Sequence, residues 1–246
     1  MMLGLRSAAP HAMSLRLGAA LPLSGLRIPA SCDWQSALNL GASVPPDALG
    51  NNTTPCCVEA GYLRQAQMRE AAAEGSSWRP TGAQAIALLG KWGDPATGTD
   101  LAAAQLAAAR DGIDLGPDLD VPLPVAVPTD WSAIKAATYV YGSAGLCWNL
   151  PAFIQDAPGG TWDVAPLGTV GTEPGSLGLH YTGAGAFDAA GVRIVSWGFE
   201  PVVTEAFAAL YLVGASAQLS RRWFTARGTT LAGFDWASVD ALRMAA

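Results

Sequence analysis

The chain has 246 residues, a formal net charge of −6 and a sequence pI near 4.8; half of its residues are hydrophobic and 14% are charged. That length allows one large domain or two small ones with a sizeable core, and the acidic balance argues against a nucleic-acid-binding surface. Four cysteines, two of them adjacent and without a regular framework, fit a reduced compartment better than a disulfide scaffold.

Residues 1–30 contain Arg6, Arg16 and Arg27 and no acid. Arg16 interrupts the apolar run, and the nine residues between Arg6 and Arg16 include Pro10, His11 and Ser14, which argues against a signal peptide; no uninterrupted run approaches the roughly 18 residues of a membrane span. The segment reads as an apolar N-terminal arm, either frayed or packed on its own domain or on a neighbouring subunit. Residues 31–49, with Cys32, Trp34 and Val44-Pro45-Pro46, read as an extended lead-in.

The stretch Gly50–Arg64, GNNTTPCCVEAGYLR, is a polar turn running into two cysteines and then a helical run. Tyr62, Leu63, Ala66 and Ala73 would form the inner face of that helix, with Arg64, Gln67, Glu70 and Glu74 outward. A cysteine in the first turn of a helix meets unpaired N–H groups and the positive end of the dipole, which both favour a thiolate. The alternative is a small buried hydrophobe.

Helices are expected over Thr81–Gly93 and Asp100–Gly112, with Asp100 as N-cap and Gly112 as C-terminal stop. The Pro-rich run Gly116–Thr129 holds a strand at Val121–Val127 and marks the passage from a helical half to a sheet half. Thr129 or Asp130 starts a helix through Tyr141, and Gly145–Leu150 is a short apolar strand. Gly159–Gly178 is a Gly/Pro-rich loop carrying Trp162, long enough to overhang a cleft.

Only two histidines exist, His11 and His180. His180 opens a strand–hairpin–strand pattern that closes on Ser196-Trp197-Gly198. Thr204–Gln218 reads as a helix running into a strand. The tail, 221–246, carries Trp223, Phe224, Phe234 and Trp236, which should pack on the domain or on a partner. Two histidines 169 residues apart give no metal-ligand spacing, and nothing calls for a cofactor.

A cysteine on an early helix and a histidine on a late strand meet only in the folded chain, as Cys–His pairs usually do. Asn51 six positions before Cys57, then His180, then Ser196-Trp197-Gly198 together resemble the papain-like cysteine peptidases, in their compact bacterial and bacteriophage branch. The resemblance spans roughly Pro45 to Leu219. It implies an α+β fold in which a helical lobe (about 50–115) carrying the nucleophile packs on an antiparallel sheet lobe (about 120–220) carrying the histidine, within a domain over 31–220.

The resemblance also implies the roles. Cys57 is the nucleophile rather than Cys56, whose pairing with Cys57 as a vicinal disulfide is the alternative; His180 is the base, and Asn51 is the oxyanion donor unless its side chain serves only the turn. The family usually places Asn before Ser-Trp-Gly to hold the histidine; here that position is Val195. Ser196 would face the other side of the strand, Asp188 is a distant substitute, and Trp197 would shield the pair from water. Two functions follow: a thiol hydrolase acting on a peptide or protein, or a catalytically weak papain-like domain in an assembly such as a phage virion. In the second, other subunits would dock through the arm and the tail. A cytoplasmic or virion-associated location fits either.

Overall fold

The computed structural model describes residues 1–10, 15–16, 27–38, 40, 47–75, 78–116, 118–224, 228–230 and 235. His11, Val44-Pro45-Pro46, Phe234, Trp236 and the side chain of Glu74 lie outside this set. In chain order come β1 (Leu5–Ser7), β2 (Leu15–Arg16), β3 (Cys32–Asp33) and a short helix α1 (Trp34–Ala37) inside the expected lead-in. The helical lobe follows, with α2 (Cys57–Glu74), α3 (Gly82–Trp92), β4 (Thr99–Asp100) and α4 (Leu101–Asp111). Two short strands, β5 (Ile113–Asp114) and β6 (Leu119–Asp120), lead to β7 (Leu123–Val127) and α5 (Trp131–Tyr141). The sheet lobe is completed by β8 (Ala144–Leu150), β9 (Gly178–Phe187), β10 (Val192–Val195), β11 (Val202–Val203), α6 (Glu205–Tyr211) and β12 (Leu212–Leu219).

The local chemistry is visible at the helix ends. Thr81 and Gln84 form a capping box on α3, Asp130 caps α5 through the Ala133 N–H, and Thr204 caps α6 through the Phe207 N–H. Asp100 stands at the N-cap of α4, but its side chain does not cap; it faces Arg6 at 3.5 Å.

The main sheet has eight strands in the order β11-β10-β9-β8-β12-β7-β2, with β3 pairing with β9 beside this path. All pairings are antiparallel except β2 on β7. Its core gathers Trp148, Trp162, Trp197, Phe207 and Tyr211 on one side and Tyr141 and Trp223 near α5. Trp162 is fully buried there, and its backbone pairs with Val202 and Thr204, so the long loop is anchored in the sheet lobe at this point. Trp223 donates its indole N–H to Val140 O; this part of the tail packs on the domain itself. A second core joins α2, α3 and α4.

Helix α2 departs from the expected two-faced pattern. Gln67, Glu70 and Arg69 are buried along with Tyr62, Leu63 and Ala66. The helix runs between the other helices and the sheet, so water reaches little of it, and its polar residues are paired instead. Arg69 meets Asp120 at 2.8 Å through Nε, Glu70 meets Arg222 at 2.6 Å, and Gln67 accepts from Arg64 at 3.0 Å. Burial of charge on this scale requires such partners.

Candidate active site

The polar turn before α2 is closed by backbone groups. Asn51 N–H donates to Ala48 O, and the Thr53 and Thr54 N–H groups converge on Gly50 O. Gly50 sits at φ 80°, where a side chain would be strained. Turn closure therefore leaves the Asn51 side chain uncommitted: it is buried and its Oδ1 has no hydrogen-bond partner.

Cys56 is the N-cap of α2 and points its thiol at Leu49 O, 3.5 Å away. Cys57, the first helical residue, lines a small cavity of about 20 Å³ together with Asn51, Tyr181, Ser196 and Trp197. All four cysteines are free, so no bond joins the vicinal pair. The register that separates the two thiols is one step of helix: at about 100° per residue, consecutive side chains cannot share a face.

His180 lies near the start of β9, fully buried. The next residue, Tyr181, directs its backbone N–H at the Cys57 thiol, which puts the histidine's strand against the N-terminus of α2. His180 Nε2 is 2.9 Å from Ser196 Oγ, and the imidazole stacks on Trp197 at 4.2 Å with a 17° tilt. Its Nδ1 has no hydrogen-bond partner. No hydrogen bond joins the imidazole to the Cys57 thiol.

The contact with Ser196 corrects the expectation that this hydroxyl would face away. Strand β10 ends at Val195, and Trp197 has φ 50°, so the in–out alternation stops one residue before Ser196. Ser196 instead belongs to a tight turn, with reciprocal backbone bonds to Phe199. Asp188 is corrected as well. It accepts from the Ala190 and Gly191 N–H groups in the β9–β10 turn, at the other end of a ten-residue strand from His180.

A further feature was only half legible in the sequence. Residues 2–5 of the arm lie across the site. Met2 N–H donates to Asn51 O, Trp197 Nε1–H donates to Met2 O at 3.0 Å, and Gly4 O accepts from Thr99 N–H at 2.7 Å. Gly4 directs its own N–H at the Cys57 thiol. The approach is so close that a Cβ on Gly4 would fall 1.9 Å from Pro55 O, and one on Gly98 would fall 1.9 Å from Gly4 O. Leu5 is buried next to them in the helical core, and β1 continues in parallel with β4. The signal was the absence of acids and the run of small apolar residues, which suits a segment laid on the protein but does not say where.

This packing sets the electrostatics. Burial pushes the Cys57 thiol up to about 12; the Tyr181 N–H opposes that, and Glu59 adds to it. Burial also pushes His180 down to about 3. Desolvation outweighs the helix dipole, whose contribution is of order 1 kcal/mol. In this arrangement the thiol and the imidazole are both neutral. Glu59, two residues behind the thiol, is raised to about 7 by burial, against the opposing hydrogen bond from Thr99.

Among the described residues no cluster of three or more His, Cys, Asp or Glu could hold a metal, and no helix is long and apolar enough to cross a membrane. Neither a protein-family model nor a curated protein sequence matches the chain. Solved structures do. Xylellain, a cysteine protease from Xylella fastidiosa, superposes with a TM-score of 0.60 at 9% identity, over 88% of this chain and 95% of its own. Procathepsin B S9 from Trypanosoma congolense gives 0.63 at 8% identity over 89% and 86%. The Carica candamarcensis cysteine protease CMS1MS2, in complex with E-64, gives 0.55 at 14% identity over 78% and 99%. With a helical lobe led by Cys57, an antiparallel sheet lobe holding His180 and these neighbours, the chain has the fold of the papain-like cysteine proteases.

Proposed function

We propose that the protein is a cysteine peptidase or amide hydrolase with Cys57 as nucleophile and His180 as general base and acid. The observation that carries this reading is the convergence of Cys57, Asn51, Ser196 and Trp197 on one cavity, with His180 fixed between Ser196 and Trp197. In the reacting form the strap formed by residues 2–5 has left the cleft, and the unpartnered Nδ1 of His180 takes the thiol proton. The sulfur attacks the substrate carbonyl carbon, and the carbonyl oxygen gathers the charge. In this reading the Cys57 N–H and the Asn51 carboxamide donate to that oxygen, and one such donor is worth about 10²–10³ in rate. His180 then gives its proton to the leaving amine, and water cleaves the thioester. Ser196 takes the orienting part that Val195 cannot.

With the strap in place, the thiol is buried and protonated, so this form is silent toward substrate. The same fact favours a second reading: a papain-like domain that no longer catalyses and serves in a larger protein assembly, such as a phage particle. A peptide bearing a thiol-directed electrophile separates the two. Labelling at Cys57 that disappears in His180→Ala, measured by mass spectrometry on a protein freed of residues 1–5, supports the hydrolase. A folded, strap-free protein that stays unlabelled supports the assembly role.

A further inference from the structure

Helix α2 carries a carboxyl group that the chemistry proposed for Cys57 does not use. Glu59 is fully buried two residues behind the thiol. Its Oε1 accepts from the Thr99 hydroxyl, and its Oε2 has no hydrogen-bond partner. Among the described residues it forms no ion pair. A carboxylate placed there would exchange its water for a single hydrogen bond, so the closed structure holds the uncharged acid.

Thr99 joins this group to the strap. While its hydroxyl serves Glu59, its backbone N–H donates to Gly4 O at 2.7 Å. Thr99 belongs to β4, whose one partner in a two-stranded sheet is β1, in the parallel register Leu5↔Thr99. Cys57 is a second link: Gly4 aims its N–H at the thiol, and the Glu59 charge would oppose a thiolate there. Lifting residues 2–5 therefore bares the edge of β4 and the first turn of α2, the two elements that enclose Glu59. We infer that the Glu59 carboxyl group is a proton-operated latch on the strap: protonated, it lets residues 2–5 seat against Thr99 and Cys57, and ionised, it favours the open cleft. The latch holds whether or not Cys57 is catalytic.

In the closed form Glu59 keeps its proton up to about pH 7, because burial outweighs the Thr99 hydrogen bond; in water a glutamate loses it near 4.5. The open form therefore gains on the closed one as pH rises from 4.5 to 7. Other titrating groups border the strap. Burial holds Cys56 and Cys57 near 12, so both stay protonated in the closed form through this range. His180 works in the opposite sense: neutral down to about 3 when buried, it charges near 6.5 in water, so a falling pH also favours opening. On the outer side of β1 and β4, Arg6 pairs with Asp100 at 3.5 Å. Asp94, before β4, is held below the usual carboxylate range by the Ala96 and Thr97 N–H groups. The buried residues of α3 and α4 include no titratable group.

The test is native-state hydrogen exchange of the Thr99 amide in the full chain, corrected for the intrinsic exchange rate at each pH. That N–H is freed when Gly4 O leaves it, so its protection reports strap opening without any activity at Cys57. The Leu146 amide, on the central strand β8, reports unfolding of the whole chain. From pH 5 to pH 8 the opening constant at Thr99, divided by that of Glu59→Gln, should rise about tenfold or more. The glutamine has the shape of the acid and cannot ionise, and the contribution of His180 is common to both proteins and cancels. Thr99→Val removes the hydrogen bond that favours the carboxylate. Read at the same amide and against the parent, its opening constant should go on rising above pH 7, which keeps the test alive where Glu59→Gln fails to fold. A parent-to-variant ratio that stays constant with pH overturns the proposal, as does a Thr99→Val profile that levels off at the same pH as the parent. Exchange of Thr99 at the rate of Leu146 overturns it too, since the strap then leaves only with the whole fold.

Discussion

The imidazole of His180 and the hydroxyl of Ser196 meet at 2.9 Å although they come from different strands' ends, sixteen residues apart. Because Nδ1 has no partner, this is the one hydrogen bond that sets the ring's rotation, assisted by stacking on Trp197. Replacing Ser196 by Ala leaves both ring nitrogens buried and empty. The expected cost is about 1–3 kcal/mol of stability, measured by chemical denaturation. On the hydrolase reading it also lowers the rate of Cys57 labelling in the strap-free protein by about 10-fold or more. Ser196→Thr, which keeps the hydroxyl, should recover most of both.

Gly4 is the tightest point of the strap. Gly4→Ala brings a methyl within 1.9 Å of a backbone carbonyl, and neither backbone can yield without moving the strap. The Cys57 thiol then regains water and loses the desolvation that holds it near 12. Labelling of Cys57 by iodoacetamide should rise at least tenfold over the unmodified protein, with the site identified by peptide mapping; an unchanged rate would show that the strap does not limit access.

Two buried groups give opposite pH dependences. Glu59 keeps its proton in the folded state up to about pH 7, whereas the unfolded chain releases it near 4.5. The folded state holds more protons across that interval, so this group's contribution to stability falls as pH rises from 4.5 to 7. His180 is the reverse: the unfolded chain binds a proton below 6.5, the folded one only near 3, so stability rises with pH between 3 and 6.5. Glu59→Gln removes the first effect alone. Urea denaturation of the two proteins should show the variant gaining on the parent as pH increases, by about 3 kcal/mol at pH 7 and above.

Arg69 and Asp120 form an ion pair buried on both sides, and Ser220 also donates to the Asp120 carboxylate. It ties α2 to the strand that leaves the helical lobe and to the end of β12. Asp120→Ala strands a guanidinium among apolar groups and should cost about 3–5 kcal/mol, read as a loss of the urea midpoint. Replacing both partners together, Arg69→Met with Asp120→Leu, should cost clearly less, because no charge is left unpaired.

Much of the architecture was legible because it depends on short-range rules. The helix over Thr81–Gly93, the start at Asp130, the glycine stop at Gly112, and the helix running into a strand within Thr204–Gln218 each involve residues within a few positions of one another. The expectation of Cys57 over Cys56 comes from the family resemblance, by a count of six positions from Asn51. The burial of α2 was not legible: Arg69 and Glu70 look solvent-facing until Asp120 and Arg222, 51 and 152 residues away, arrive to pair with them.

The sequence by itself determined which residue types were available for chemistry: two adjacent thiols at a helix start, one histidine in the later strands, and a serine and a tryptophan following the next strand. Local turns and periodicity decide that much, since each is fixed by neighbours in the chain. Only the tertiary structure decided the protonation of the thiol and the imidazole, the partner of His180, and the occupation of the cleft by residues 2–5. Those depend on how much water remains around a group once distant segments close over it, and desolvation is a property of the packed volume that no stretch of sequence carries alone.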